Sequence, residues 1–263
     1  GQKEPVIDMP TRFVDFMRVL VPMAGDDTTP EGEQVNIYGN HVGSWNFAAT
    51  AYLNRWKVKI YYEHYFDDHS QMFFQYGRWK DGHIGLEITF PKNRFIDTFV
   101  YEGLGTKDQT GPMLYDSFWG EFEEQISAKD NYYNHYLYQG WQHWGMGIGN
   151  PLLPGPIYNK NGQITFISNR VLAHHIGFCG SPCQSLSYRM LLSYSRHWGT
   201  YDNPLNEIKK QFNSLFEVTY APQQLKGWSF TVSGAMDRGN LLGNNYGGML
   251  VIRKQGIIKS GNK

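Results

Sequence analysis

The chain has 263 residues, enough for one large all-β domain or for a piece of a larger barrel. Its 24 basic and 24 acidic residues cancel to a formal net charge of zero, which leaves no basic face for nucleic acid. Charged residues are only 18%, aromatics reach 16% and there are 29 glycines, a composition that suits an antiparallel β-barrel with a lipid-facing exterior. No run approaches the roughly 18 apolar residues of a spanning helix. The mean hydropathy of −0.51 is compatible with a barrel, because strands that alternate apolar and polar residues average to a polar value.

Residues 1–40 form an N-terminal segment. Phe13, Phe16, Met17 and Leu20 recur at helical spacing and Pro22 stops the pattern, which predicts a short helix on the barrel rim or plug, the alternative being a frayed end. The stretch that follows, 25–32, is a loop by composition. From 41 to 258 the dominant pattern has period two. Trp56, Val58, Ile60, Tyr62, His64 and Phe66 share one face, and Lys57, Lys59, Tyr61, Glu63 and Tyr65 the other. Ile84, Leu86, Ile88 and Phe90 alternate with His83, Gly85, Glu87 and Thr89. Leu186 to Tyr194 and Trp228 to Met236 repeat the pattern, and less regular strands are expected near 41–53, 95–104, 169–178, 214–221 and 246–252. Residues 259–263 form a tail.

The connections add a second regularity. Tight turns at 54–55, 91–94, the cysteine turn and 222–227 alternate with long loops at 67–82, 105–168 and 199–213 and an intermediate link at 238–245. Up-and-down barrels of outer membranes place short turns on the periplasmic side and long loops outside. If the short turns are periplasmic, the first and last of about nine strands both run down. An even-numbered barrel then requires at least one strand upstream of His41 or hidden within residues 1–40.

Candidate site residues follow from side-chain chemistry. Trp45, Trp56, Trp198 and Trp228 lie near strand ends, where an indole settles at the membrane interface, although ordinary sheet packing also accounts for them. Within the longest loop, Tyr132, Tyr133, His135, Trp141, His143 and Trp144 combine flat rings with polar groups. Such rings stack on sugar C–H faces, and the alternative is a loop packed by its own aromatics. Cys179 and Cys183, in Cys-Gly-Ser-Pro-Cys, are either a disulfide across a turn, suited to an oxidising periplasm, or two thiols. His174 and His175 are adjacent on a strand and point to opposite faces, so they do not share a metal, and no cofactor is indicated. Asp67-Asp68-His69-Ser70 is a turn-forming loop tip. Glu63, Glu87, Glu102 and Glu217 point into a lumen, as lumen polarity or as paired carboxylates for glycoside hydrolysis. Nucleophile-elbow, phosphate-loop and zinc-protease motifs are absent from the sequence.

Several stretches resemble the Wzi-type capsule assembly proteins of Gram-negative outer membranes. They are Gly39-Asn40-His41-Val42-Gly43-Ser44-Trp45, Tyr61-Tyr62-Glu63-His64-Tyr65-Phe66-Asp67-Asp68-His69-Ser70, Asp130-Asn131-Tyr132-Tyr133-Asn134-His135, Gly140-Trp141-Gln142-His143-Trp144-Gly145-Met146-Gly147-Ile148-Gly149-Asn150-Pro151-Leu152-Leu153, Arg196-His197-Trp198-Gly199-Thr200-Tyr201-Asp202 and Asp237-Arg238-Gly239-Asn240-Leu241-Leu242-Gly243-Asn244-Asn245. The resemblance implies a barrel of about eighteen strands with a helical part at the periplasmic end, and makes this chain its C-terminal portion. It also implies a lectin-like role without catalysis, holding capsular or surface polysaccharide at the cell surface, in contact with outer-membrane lipid. An open half-barrel leaves two unpaired edges, which lipid does not tolerate. The sheet therefore closes on itself, associates with another copy or belongs to a longer chain. A barrel enzyme acting on glycan or lipid, and a porin-like channel, are the alternatives from other functional classes.

Overall fold

A computed structural model describes residues 9–21, 23–30, 34, 38–39, 41–66, 81–93, 95–108, 131–135 and 140–256. Pro22, the loop tip 67–70, Tyr136 and the tail 259–263 fall outside them, as do most of the expected loop 67–82 and 109–130 of the expected loop 105–168.

Among the described residues one antiparallel sheet holds nine strands in simple sequence order. They are β1 (Gly43–Leu53), β2 (Trp56–Phe66), β3 (Gly82–Thr89), β4 (Thr98–Gly105), β7 (Val171–Cys183), β8 (Leu186–Gly199), β9 (Pro204–Tyr220), β10 (Trp228–Gly239) and β11 (Asn245–Lys254). A two-residue ribbon, β5 (Gln142–His143) with β6 (Met146–Gly147), lies in the β4–β7 connection. Each of the nine expected strands is present. β1 and β11 are the edges of the sheet. The β1–β2 turn is tight because Asn54 takes a φ of 56°, a left-handed conformation that asparagine tolerates better than most residues.

Register assigns the faces. Glu63 stands opposite His83, Gly85 opposite Glu102, Glu102 opposite His175, and His175 opposite Ser193. Ser193 faces Asn213, Asn213 faces Asp237, and Asp237 faces Asn245. Opposed residues in a ladder project to the same side, so these groups build a polar face, and Glu63, Glu87, Glu102 and Glu217 all belong to it. The other face carries Ile60, Ile84, Phe216, Val232, Leu250 and Ile252, and it is open: Ile60 is 55% and Val232 61% exposed. His174 and His175 part as expected, His174 meeting Tyr101 Oη at 2.8 Å on the apolar side and His175 meeting Ser193 Oγ at 2.6 Å on the polar side.

Two expectations are corrected. The loop foreseen at 199–213 is mostly strand: β9 begins at Pro204, and its first half pairs with the end of β8, Lys209 opposite His197 and Lys210 opposite Arg196. Charged residues on both faces, Glu207 and Lys209 on one and Lys210 on the other, erase the apolar alternation there, while ladder hydrogen bonds to β8 still hold the backbone extended. The alternation of short and long links therefore breaks at 200–203. The cysteine turn is also displaced. β7 runs through Cys183, the turn falls at 184–185, and both thiols are free. Four residues of extended chain span about 13 Å, far beyond the roughly 7 Å limit between bridged Cα atoms.

The expected helix forms as α1 (Phe13–Leu20). It buries its charged side: Asp15 is 2% exposed, while Phe13, Phe16 and Leu20 are exposed. Arg12 Nη2 donates to Asp15 at 3.0 Å and to Asp26 at 2.8 Å, and Arg18 Nη1 donates to Asp26 at 2.8 Å. The Arg12 side chain is the main cause holding the Asp15 carboxyl below its ordinary range. Thr28, then Arg18 and Arg12, hold Asp26 far below it. Tyr38 Oη donates to Pro10 O at 3.0 Å and ties the segment to residues nearer β1.

Gly85 has a packing role. A Cβ there would lie 2.0 Å from the Tyr61 ring, and the open space lets Tyr61 cross β3 and donate to Glu102 on β4. Gly85→Val should evict Tyr61 and lower stability by about 1–3 kcal/mol, read as a lower thermal midpoint by circular dichroism. An unchanged midpoint would show that Tyr61 does not occupy that space. For α1 the sign is equally definite. Both carboxyl pKa values are depressed on folding, so their contribution is present above the unfolded value of about 4 and fades as pH falls through the folded values. Amide-exchange protection at 13–20 should hold steady from about pH 7 to 5 and drop below about 4.

Candidate functional site

The described part of the β4–β7 connection folds onto the polar face. Tyr132, Tyr133, Leu153 and Phe166 bury themselves against Leu104, Val171 and Ala173 of the sheet, with Val42, Tyr65, Trp141 and Leu152 packed at the margin. This end of the face is apolar so that the loop can seat there.

Asparagine side chains hold the loop's backbone in place of a ladder. Asn134 Nδ2 donates to Phe166 O at 2.8 Å while its Oδ1 accepts from Phe166 N at 2.8 Å, imitating a strand pair. Asn169 Nδ2 donates to Tyr132 O at 2.9 Å. Thr106 Oγ1 donates to Asn169 O at 2.7 Å and accepts from Val171 N at 3.0 Å. Buried Asp81 joins three segments: its Oδ1 accepts from Asp108 N at 2.9 Å and its Oδ2 from Tyr132 Oη at 3.1 Å, just before β3 begins.

Between loop and sheet lies a chamber of about 500 Å³, within the usual range for small-molecule sites. Its roof is Tyr132, Tyr133 and Gly149 to Leu153, and its floor includes Ser44, Glu63, Tyr65, His83, Glu102 and His175. Strand pairing positions the floor. His83 sits between two carboxylates, its Nδ1 3.7 Å from Glu63 Oε2 and its Nε2 3.5 Å from Glu102 Oε1. Ser44 Oγ donates to Glu63 Oε1 at 2.6 Å, and Tyr65 Oη approaches Glu63 Oε2 at 3.4 Å. The chamber thus pairs flat rings with fixed acceptors, a combination that accepts hydrogen bonds from hydroxyl-bearing ligands and can shuttle a proton between a carboxylate and an imidazole.

The six loop residues singled out by chemistry divide in two. Tyr132 and Tyr133 line the chamber but are buried, and their hydroxyls are engaged, Tyr133 Oη accepting from Asn150 N at 3.2 Å. Trp141 packs against the same cluster, and His135 is half-buried. His143 and Trp144 are at the tip of the β5–β6 ribbon, rings 6.1 Å apart and nearly perpendicular, and Trp144 is 84% exposed. Tyr133, Trp141 and Trp144 all hold positive φ, 71°, 57° and 52°, a conformation that costs a bulky residue free energy and is kept where geometry matters. Trp45, Trp56, Trp198 and Trp228 all fall on the apolar face. Trp56 and Trp228 are at the short-turn end, Trp56 packed 5.0 Å from Phe90, while Trp45 and Trp198 are at the other end. Trp198 has Lys107 and Arg196 near its ring at 5.2 and 5.0 Å.

Ser44, Tyr65, His83 and Asp81 were not singled out from sequence, and His175 was weighed only as half of a metal pair with His174, although the alternation already put Glu63, Tyr65 and His83 on the polar side. Their convergence depends on pairing register between strands separated by long links. The sequence matches no family model and no curated protein.

Replacing Asp81 with Ala leaves Tyr132 Oη and Asp108 N without their acceptor, a cost of about 2–4 kcal/mol. The loop should then become sensitive to limited proteolysis between 131 and 169, while Asp108→Ala, which keeps its backbone donor, should not change the pattern.

Proposed function

We propose that the chain is part of an outer-membrane β-barrel of the Wzi-type capsule assembly family, and that it holds capsular or surface polysaccharide at the cell surface without cleaving it. The observation that carries the proposal is the division of one sheet into an exposed apolar face and a polar face that bears a roofed chamber. An apolar surface of this extent is unfavourable in water and favourable against lipid. β2 has 11 residues; at about 3.4 Å per residue and a tilt near 40° it rises roughly 25 Å, the height of an outer-membrane apolar band. Tryptophans at both ends of that face suit interface girdles. The long links at 67–81 and 106–170 then face the exterior, with the chamber and Trp144 at the end where a surface glycan arrives. The open edges β1 and β11 join further strands, of this chain or of another copy.

Among the described residues no helix is long and apolar enough to cross a membrane, and the proposed crossing is by strands. Enzymatic action on glycan is the second reading, and it draws on Glu63 and Glu102 flanking His83.

The chain refolded in detergent and reconstituted into liposomes should keep its sheet and resist protease across β1–β11. Trp144→Ala, which removes an exposed ring and little packing, should weaken glycan binding on an array and in calorimetry about 3- to 10-fold, as for one lost stacking contact of about 0.5–1.5 kcal/mol. Affinity unchanged from the parent chain in both Trp144→Ala and Trp141→Ala would discard the loop as a glycan contact. Bound glycan should be recovered at its original length after long incubation; shorter products that vanish in Glu102→Gln would establish the enzyme reading instead.

A further inference from the structure

The charge of the chamber goes beyond glycan binding to the class of glycan. Its acidic and imidazole lining is Glu63, Glu102, His83 and His175, and among the described residues no lysine or arginine lines it. Described lysines on the same face are engaged elsewhere: Lys57 Nζ is 3.6 Å from Glu87 Oε1, Lys59 Nζ lies 5.2 Å from the centre of the Tyr61 ring, and Lys209 Nζ donates to Glu207 Oε1 at 2.7 Å. His83 stands between both carboxylates, so even when protonated it leaves one negative charge in excess. His175 is turned to Ser193 Oγ at 2.6 Å.

Each carboxylate is held by donors from its own sheet, Glu63 by Ser44 and Tyr65 and Glu102 by Tyr61. A carboxylate has about four acceptor positions, so both retain capacity for further donors in fixed directions. Sugar hydroxyls are such donors, and the rings of Tyr65, Phe66, Tyr132 and Tyr133 supply flat walls. An anionic substituent meets two carboxylates at close range in a partly dry site, where repulsion is strong.

We infer that the chamber accepts a hydroxyl-rich saccharide unit without anionic substituents and rejects a uronate. The inference rests on the glycan reading above and deepens it. The test uses the full chain in detergent micelles, titrated calorimetrically with neutral gluco-, galacto- and manno-oligosaccharides and with oligogalacturonate and oligomannuronate of matched length. At least one neutral series should bind, each uronate at least 10-fold more weakly. Glu63→Gln with Glu102→Gln should narrow that gap by raising uronate affinity, whereas Glu87→Gln, on the same face but outside the chamber, should leave it unchanged and serves as the folding control. Uronates binding as tightly as neutral sugars, or a gap indifferent to Glu63→Gln and Glu102→Gln, would overturn this inference alone. Absence of binding to either series would remove the glycan reading and this one with it.

Discussion

The structure depends on the strict alternation of side chains along paired strands. Because the period is two, one register fixes both surfaces together, and a slip of a single residue would exchange them. In this chain the exchange would carry Glu63, Glu102 and His175 onto the side now formed by Ile60, Val232 and Leu250. The penalty holds whichever medium covers the apolar side, since charge would enter it and hydrocarbon would enter the chamber. The pairings of β7 with β8 and β8 with β9 extend this constraint well past the chamber.

One line of the ladder shows how register becomes chemistry. Tyr61, Gly85, Glu102, His175, Ser193, Asn213, Asp237 and Asn245 follow one another across the sheet. Within it Tyr61 reaches Glu102 over Gly85, His175 meets Ser193, and Asn213 Nδ2 donates to Asp237 Oδ1 at 2.7 Å. Neighbours on separate strands thus satisfy one another, so a wide polar surface is held in shape by local pairs, each contributing a modest amount.

Much of the fold was legible in the amino-acid order, and the reasons are local. β2 shows its full apolar and polar alternation, so its bounds follow from inspection, and α1 shows its 3.6-residue spacing. β9 was hidden in its first half because Glu207, Lys209 and Lys210 carry charge on both faces, and its extended backbone is dictated by β8. The disulfide alternative at Cys179 and Cys183 presumed a turn between them, and the turn lies beyond. At the site, aromatic chemistry picked out Tyr132, Tyr133 and Trp141, which mostly build the roof. The floor was legible only in part: Glu63 and Glu102 stood out as inward carboxylates, but their meeting with Ser44, His83 and His175 joins five strands through long-range pairing, a quantity that local composition does not encode.

The parity of the sheet has a further consequence. In a meander each strand reverses its predecessor, so β1 and β11, first and last of nine, travel in the same sense. A seam joining them directly is parallel, with evenly spaced, slanted hydrogen bonds, and its ends lie at opposite rims, so a tight hairpin does not bridge it. An added odd number of meandering strands makes every junction antiparallel; an added even number, such as one more hairpin, leaves one parallel seam in the ring. Two copies of the nine-stranded sheet joined edge to edge around a two-fold axis perpendicular to the strands also meet antiparallel, β1 against β1 and β11 against β11.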